Sequence, residues 1–203
     1  MLWIEKVIDT FELVADNVVN NWYCIWCITD ALCKSKGFKP LDSLKMHNDH
    51  MNMLFEYQGI DGRNEKNDIK YTRENIRLAQ PYGYMYAAIG HIGVQRDVMS
   101  NILTNVGGWG IDHEIGHKMD IGVRTIGEVT NNMLPQQSSY YYNKLNKRIP
   151  FESHVYKNVI STNSNKYADG ELAENLAVFW QLEMIYPGYW AKLNSYIEKI
   201  MLL

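Results

Sequence analysis

The stretch GGWGIDHEIGHKMDIG, residues 107–122, places two histidines four positions apart around a glutamate, close behind a run of glycines. On an α-helix, residues four apart project from the same face about one turn from each other, so His113 and His117 can bind one metal ion. Glu114 is rotated from His113 by about 100°, where a carboxylate can act as a general base without being a ligand. The spacing is the H-E-x-x-H pattern of zinc hydrolases.

The same helix carries an apolar stripe that is separate from the histidines. Ile111, Ile115 and Met119 recur at helical spacing on roughly the opposite side. We therefore predict a helix that is anchored in a core by this stripe while its histidines face a cleft. The alternative is an ordinary solvated helix that happens to carry two histidines and a glutamate.

A catalytic zinc ion usually has three protein ligands, so a third must lie downstream. Gly122 is predicted to end the first helix, and TIGEVTNNMLP, residues 125–135, is predicted to form a second one that Pro135 closes. Within it, Thr125 and Glu128 have the spacing of a capping box. Glu128 therefore has two interpretations, a helix cap or the third ligand of a His, His, Glu triad.

Asn132 favours the ligand interpretation of Glu128. It follows Glu128 by four residues, so on a helix it shares the same face and can orient a liganding histidine through a hydrogen bond. Asn131 is the alternative residue for this role.

Composition indicates one folded, soluble domain. The chain has 203 residues, of which 46% are hydrophobic and 21% charged, and its formal net charge is −3. Without a dense Lys/Arg cluster, neither nucleic acid nor an anionic membrane is favoured as a partner. Charged residues interrupt the opening segment 1–19, so we expect neither a membrane span nor a signal peptide there. The sequence leaves the oligomeric state open.

The predicted fold class is α+β and predominantly helical, with a small sheet preceding the active-site helix. Residues 1–75 are predicted to be mainly helical, 76–95 to form the sheet, and 107–203 to form the zinc-site and C-terminal helices. The helical prediction for the first third rests on an apolar face at spacings of four and three, formed by Trp3, Val7, Phe11, Val14 and Val18. Near the C-terminus, Pro187-Gly188 should separate two amphipathic helices whose apolar faces include Leu172, Leu176, Phe179 and Tyr186 in the first, and Trp190, Leu193, Ile197 and Ile200 in the second.

Two other groups of potential ligands are interpreted as structural. Cys24 and Cys27 have C-x-x-C spacing, but no second ligand pair lies nearby, and we expect buried free thiols. His47 and His50 are three apart among polar neighbours and are expected on a solvated helix face.

The motifs together resemble one known family. HEIGH is followed, after ten residues, by EVTNN, and is preceded by the glycine- and aromatic-rich segment YGYMYAAIGHIGV. This combination resembles the enhancin-like, mucin-degrading metallopeptidases of peptidase family M60, and NLAVFWQLEMIYPGYW is similar to a late tryptophan-containing helix of that family. The resemblance covers roughly residues 45–190.

The resemblance implies a zincin-like metallopeptidase core of the gluzincin type with Zn²⁺ as cofactor. His113, His117 and Glu128 would bind the zinc, and Glu114 would be the catalytic carboxylate. It implies a secreted or cell-surface endopeptidase that acts on glycoproteins, with O-glycosylated, mucin-like chains as substrates. The alternatives are a non-catalytic glycan- or protein-binding module that retains the fold, and a zinc hydrolase of other substrates.

The oxyanion-stabilising donor is left open by the sequence. The candidates with suitable chemistry are His91, Tyr140, Tyr141, Tyr142 and Tyr167. YMYAAIGHIGV, residues 84–94, is interpreted either as an exposed edge strand that pairs with an extended substrate or as an internal strand whose glycines ease packing.

Overall fold

A computed structural model describes the elements that surround the motif. The described residues are 8–14, 23–29, 37, 40–59, 74–78, 84–89, 91–95, 98, 101, 105–106, 108–121, 125–144 and 172–201. They form, in chain order, β1 (Ile8–Val14), β2 (Tyr23–Thr29), α1 (Pro40–Gln58), β3 (Glu74–Leu78), β4 (Tyr86–Ala88), β5 (His91–Val94), α2 (Trp109–Met119), a 3-10 helix (Thr130–Asn132), α3 (Met133–Asn143), α4 (Leu172–Ile185) and α5 (Tyr189–Met201). The fold is α+β and mainly helical, as predicted. Among the described residues, no helix combines the length and the apolar character needed to cross a lipid bilayer.

The strands form one five-stranded mixed sheet in the order β1-β2-β3-β5-β4. β1 pairs antiparallel with β2, β3 lies parallel to both β2 and β5, and β4 pairs antiparallel with β5. The predicted sheet ahead of the active-site helix is confirmed, but it extends beyond residues 76–95, because β1 and β2 belong to it and β3 begins at Glu74. The segment 84–94, interpreted above as either an edge strand or an internal strand, contains two strands: β4 lies at the edge of the sheet and β5 lies between β3 and β4.

The helical prediction for the first third of the chain is wrong over residues 8–14 and 23–29. Both segments are strands, and they pair along their whole length, with Phe11 opposite Trp26. The second segment, YCIWCIT, is dense in β-branched and aromatic residues, which favour a pleated strand. Cys24 and Cys27 therefore lie on a strand. Within the range predicted to be mainly helical, residues 40–58 do form a helix, α1.

The chain divides into two compact units. The first comprises Met1–Phe55 and Tyr71–Gly107, and the second comprises Glu56–Lys70 and Gly108–Leu203. The single-domain organisation of residues 1–203 stays a prediction.

The core of the first unit draws on α1 and β5. Its buried apolar side chains are Met51, Leu54, Phe55, Ile92 and Val94. His47 and His50 are buried as well, with 4% and 2% of their surface exposed, so the prediction that they lie on a solvated helix face is wrong. The face of α1 that carries them is one turn before Met51 and Leu54, so burial of those residues draws the histidines inward.

The second unit is a cluster of helices around α2. The predicted stripe is confirmed, because Ile111, Ile115 and Met119 are all buried. They share a core with the buried residues Ile121, Val129, Met133, Leu134, Leu176, Ala177, Trp180 and Trp190. α2 contacts the 3-10 helix and α3, while α4 contacts α3 and α5.

Two buried polar residues join the C-terminal helices to this core. Gln58 donates to the carbonyl of Met119 at 2.8 Å and accepts from the indole N–H of Trp190 at 2.9 Å. Glu183 accepts from the backbone N–H groups of Gly188 and Trp190 at 2.9 and 2.8 Å, which satisfies orphan donors at the start of α5.

The break at Pro187-Gly188 between α4 and α5 is confirmed. Two members of the predicted apolar faces are not in the core, because Tyr186 and Ile200 are 64% and 53% exposed. Tyr186 follows the last residue of α4 and so leaves the helical face, and Ile200 lies in the last turn of α5.

Candidate metal centre

The first two candidate ligands lie on α2. This helix begins at Trp109 after Gly108, whose φ of 126° is a conformation that favours glycine. His113 and His117 project from the same face with their ring centroids 4.7 Å apart and their planes nearly perpendicular. Their side chains are 20% and 32% exposed, so both rings are anchored yet open to solvent.

Glu128 meets both histidines. Its Oε2 lies 3.0 Å from Nε2 of His113 and its Oε1 lies 3.3 Å from Nε2 of His117. The three ligand atoms lie within 4.8 Å of one another. Among the described histidine, cysteine, aspartate and glutamate residues, these three form the group that is close enough to hold one metal ion. Two imidazole nitrogens and one carboxylate form a donor set that zinc binds in catalytic sites, so the residues fit zinc.

The capping-box interpretation of Glu128 is wrong. No helix begins at Thr125; the backbone N–H and the hydroxyl of Thr125 both donate to the carbonyl of Ile121 at 3.0 Å. Residues 127–129 form a turn, and α3 begins only at Met133. Pro135 lies in the first turn of α3 instead of closing a helix, because a proline there loses no intrahelical hydrogen bond.

Asn132 contacts two of the three candidate ligands. Its Nδ2 donates to the carbonyl oxygen of Glu128 at 2.5 Å, and its Oδ1 lies 2.8 Å from Nδ1 of His113. A carbonyl only accepts hydrogen bonds, so the first contact sets the orientation of the amide and turns its oxygen toward the ring. An acceptor at this place pairs with an N–H on Nδ1 of His113, and the neutral ring with its proton there would offer Nε2 to a metal.

Asn131 also touches the histidines, but in a different way. Its Nδ2 lies 3.1 Å from Nε2 of His117 and almost equally far, 3.2 and 3.3 Å, from the two ring nitrogens of His113. The hydrogen-bonding directions of the two ring nitrogens diverge within the plane of the ring, so one atom cannot approach both nitrogens along them. An atom that is almost equally far from both therefore lies over the face of the ring. Asn131 therefore packs on His113, whereas Asn132 holds its Nδ1.

Gly116 allows this packing. A Cβ at this position would lie 2.1 Å from the carbonyl oxygen of Asn131 and 2.8 Å from its carbonyl carbon. The backbone of the 3-10 helix at Asn131 thus lies directly against α2 at Gly116, one residue before His117. The glycine is required here for close approach and not for an unusual backbone angle.

Sequence reasoning missed a buried hydrogen-bonded pair beside the centre. The hydroxyl of Thr130 donates to Oδ2 of Asp120 at 2.6 Å, and it accepts from the backbone N–H of Ile126 at 3.1 Å. Asp120 and Thr130 are ten residues apart and are 8% and 2% exposed. Nothing in their local sequence indicates the pairing, because it exists only where the turn folds back onto the end of α2.

The candidate catalytic carboxylate and the candidate oxyanion donors lie on several different elements. Glu114 lies on α2 between the two histidines and is 9% exposed. Tyr140 packs edge-on against Trp180 with ring centroids 5.6 Å apart, while Tyr141 and Tyr142 are exposed. Tyr167 lies outside the described residues, and His91 lies on β5 in the other unit.

Comparison with known proteins identifies the family of this chain. Residues 3–199 match the family model described as peptidase M60, enhancin and enhancin-like. The chain belongs to this family. The resemblance to this family that the motifs indicated is thereby confirmed. No curated protein matches the sequence.

Solved structures share the fold at low sequence identity. The M60 catalytic domain of ZmpB from Clostridium perfringens, solved with two CBM32 domains, has 22% identity and a TM-score of 0.71 over 87% of this chain and 20% of that chain. The catalytic module of ZmpA from the same organism has 23% identity and a TM-score of 0.64 over 94% of this chain and 38% of that chain. The catalytic domain of ZmpC, solved in complex with the sialyl T antigen, has 18% identity and a TM-score of 0.65 over 87% of this chain and 38% of that chain. The chain thus spans about a fifth to two fifths of the length of these relatives.

Proposed function

We propose that this chain is a zinc-dependent endopeptidase that hydrolyses peptide bonds in glycoproteins, with O-glycosylated, mucin-like chains as substrates. The observation that carries the proposal is the close approach of three side chains, because ligand atoms of His113, His117 and Glu128 all lie within 4.8 Å of one another. The buried glutamate Glu114 directly follows His113 on the same helix. Membership of the peptidase M60 family supports the reaction class. The glycoprotein substrate is supported by the relative ZmpC, whose structure was solved with the sialyl T antigen.

In this proposal each residue of the centre has a separate task. His113 and His117 would hold zinc through Nε2 and Glu128 would hold it through its carboxylate, while Asn132 would keep the proton of His113 on Nδ1. A zinc ion held there would supply Lewis-acid chemistry, which lowers the pKa of water and polarises a peptide carbonyl. Glu114 takes the proton of the attacking water and delivers it to the nitrogen of the departing amine.

Substrate access is consistent with the exposure of the site. The Glu128 side chain is about half exposed at 54%, and both imidazoles are part-exposed, so a polypeptide can approach this side of α2. Because such a substrate is a secreted or surface glycoprotein, the proposed place of action is outside the cell or at its surface.

The test is zinc content by elemental analysis on the wild type and on Glu128→Ala, run beside cleavage of an O-glycosylated protein with and without chelator. Stoichiometric zinc that is lost in the variant, together with chelator-sensitive cleavage, supports the proposal. Wild-type protein that binds zinc but cleaves neither the glycoprotein nor its deglycosylated form would instead support a binding module. Wild-type protein without zinc would refute the metal centre.

A further inference from the structure

Glu128 has a backbone conformation that its own side chain does not favour. Its φ is 59°, in the left-handed region that favours glycine and tolerates short polar residues such as asparagine. A glutamate carries no short side chain that could compensate by a local hydrogen bond, so the surrounding structure must hold the turn in place.

A single buried hydroxyl spans the turn. Thr130 lies two residues after Glu128, and its Oγ1 accepts from the backbone N–H of Ile126, two residues before Glu128, at 3.1 Å. The same hydroxyl donates to Oδ2 of Asp120 at 2.6 Å. Asp120 directly follows the last residue of α2, and its other oxygen, Oδ1, accepts from the backbone N–H of Ile121 at 3.2 Å.

We infer that Asp120 is a positioning residue for the third metal ligand, acting through the hydroxyl of Thr130. The carboxylate ties both sides of the Glu128 turn to the end of the helix that carries His113 and His117. The inference rests on the proposed function, because it assigns a role toward the same metal centre.

The hydrogen bond from Thr130 to Asp120 affects the distance between the Glu128 carboxylate and the two imidazoles directly. Asp120 lies three residues after His117, directly beyond the end of the same helix, and Thr130 lies two residues after Glu128. The 2.6 Å hydrogen bond is therefore the short link between the helix and the turn, and it is buried from water. Asn132 holds the turn from its other side by donating to the carbonyl of Glu128. Loss of the hydroxyl should let the Glu128 carboxylate move relative to the two imidazoles while all three ligands remain present.

The experiment compares Thr130→Val, Thr130→Ser and the matched control Thr125→Val with wild type in the 203-residue chain. Valine has the shape of threonine without the hydroxyl, serine keeps the hydroxyl, and Thr125 donates to a backbone carbonyl in the same segment without contacting Asp120 in any observed hydrogen bond. The readouts are the Zn²⁺ dissociation constant by chelator competition, the visible absorption spectrum of the Co²⁺-substituted protein, and thermal unfolding of the metal-free protein.

We expect Thr130→Val to weaken zinc binding by about 10- to 100-fold, as loss of an orienting partner typically does, and to change the Co²⁺ spectrum. Thr130→Ser and Thr125→Val should bind zinc like wild type. Wild-type affinity and an unchanged Co²⁺ spectrum in Thr130→Val would overturn the inference, and so would equal losses in Thr130→Val and Thr125→Val.

A second variant covers the case in which Thr130→Val fails to fold. In Asp120→Ala both carboxylate oxygens are removed, so the Thr130 hydroxyl loses its acceptor at the end of α2 while Thr130 itself is unchanged. This variant should also bind zinc more weakly, and wild-type affinity would overturn the inference. Zinc that is lost in Glu128→Ala but retained in Asp120→Ala refutes only the positioning role, whereas wild-type protein that binds no zinc refutes the proposed function itself.

Discussion

Substitution of Gly116 by alanine tests whether α2 and the 3-10 helix are in direct backbone contact. In an unobstructed helix interior the change should stabilise the protein, since alanine is favoured over glycine by roughly 1 kcal/mol. Here the new Cβ would lie 2.1 Å from the carbonyl oxygen of Asn131, 2.8 Å from its carbonyl carbon and 3.0 Å from its Cα. All three atoms are backbone, so relief requires the 3-10 helix to move away by more than an ångström.

The steric cost exceeds the gain in helix propensity. Overpacking a tight interior costs about 1–3 kcal/mol, and contact with backbone atoms that cannot rotate away places this site toward the upper end of that range. After a propensity gain of roughly 1 kcal/mol is subtracted, the net free energy of unfolding should fall by up to about 2 kcal/mol. The displacement also moves Asn132 away from Nδ1 of His113, now at 2.8 Å, so zinc affinity should fall by about tenfold or more. The two effects have one cause and should appear together.

The assays are denaturant unfolding of the metal-free protein and chelator competition for zinc. The matched control is Gly127→Ala, because a Cβ at Gly127 meets nothing within 4 Å and the residue lies next to Glu128. This control should leave stability and zinc affinity close to wild type. If Gly116→Ala were as stable as wild type or more stable, and bound zinc equally well, the proposed contact between the two helices would be refuted.

Three further substitutions separate chemistry, metal binding and stability. Glu114→Gln should retain zinc and lower turnover by orders of magnitude, since it removes the proton acceptor alone; comparable turnover in steady-state assays would exclude the mechanism. Glu128→Ala should lower zinc content in elemental analysis, and unchanged content would leave the residue without a ligand role. Glu183→Ala should lower the free energy of unfolding by about 2 kcal/mol and leave zinc affinity unchanged, because its carboxylate accepts from the N–H groups of Gly188 and Trp190 at the start of α5; wild-type stability in thermal unfolding would contradict this.

The fold was predictable from the sequence where the signal is local. The apolar stripe of α2 and the break at Pro187-Gly188 follow from helical spacing and from proline and glycine chemistry, and both are confirmed. Residues 8–14 and 23–29 were wrongly predicted as helical, because short apolar segments fit both periods and pairing with another strand decides between them. The register of Phe11 with Trp26 is such a non-local contact.

For the candidate metal centre, the sequence by itself determined the part that lies on one helix. His113, Glu114 and His117 share one helix, and their relative directions follow from the helical repeat alone. Thr125 and Glu128 have the spacing of a cap, yet the structure forms a left-handed turn that presents the Glu128 carboxylate to both histidines. Only the tertiary structure decided this, because the turn depends on contacts between residues distant in sequence. Those contacts are the backbone of Asn131 against Gly116 and the buried hydrogen bond from Thr130 to Asp120.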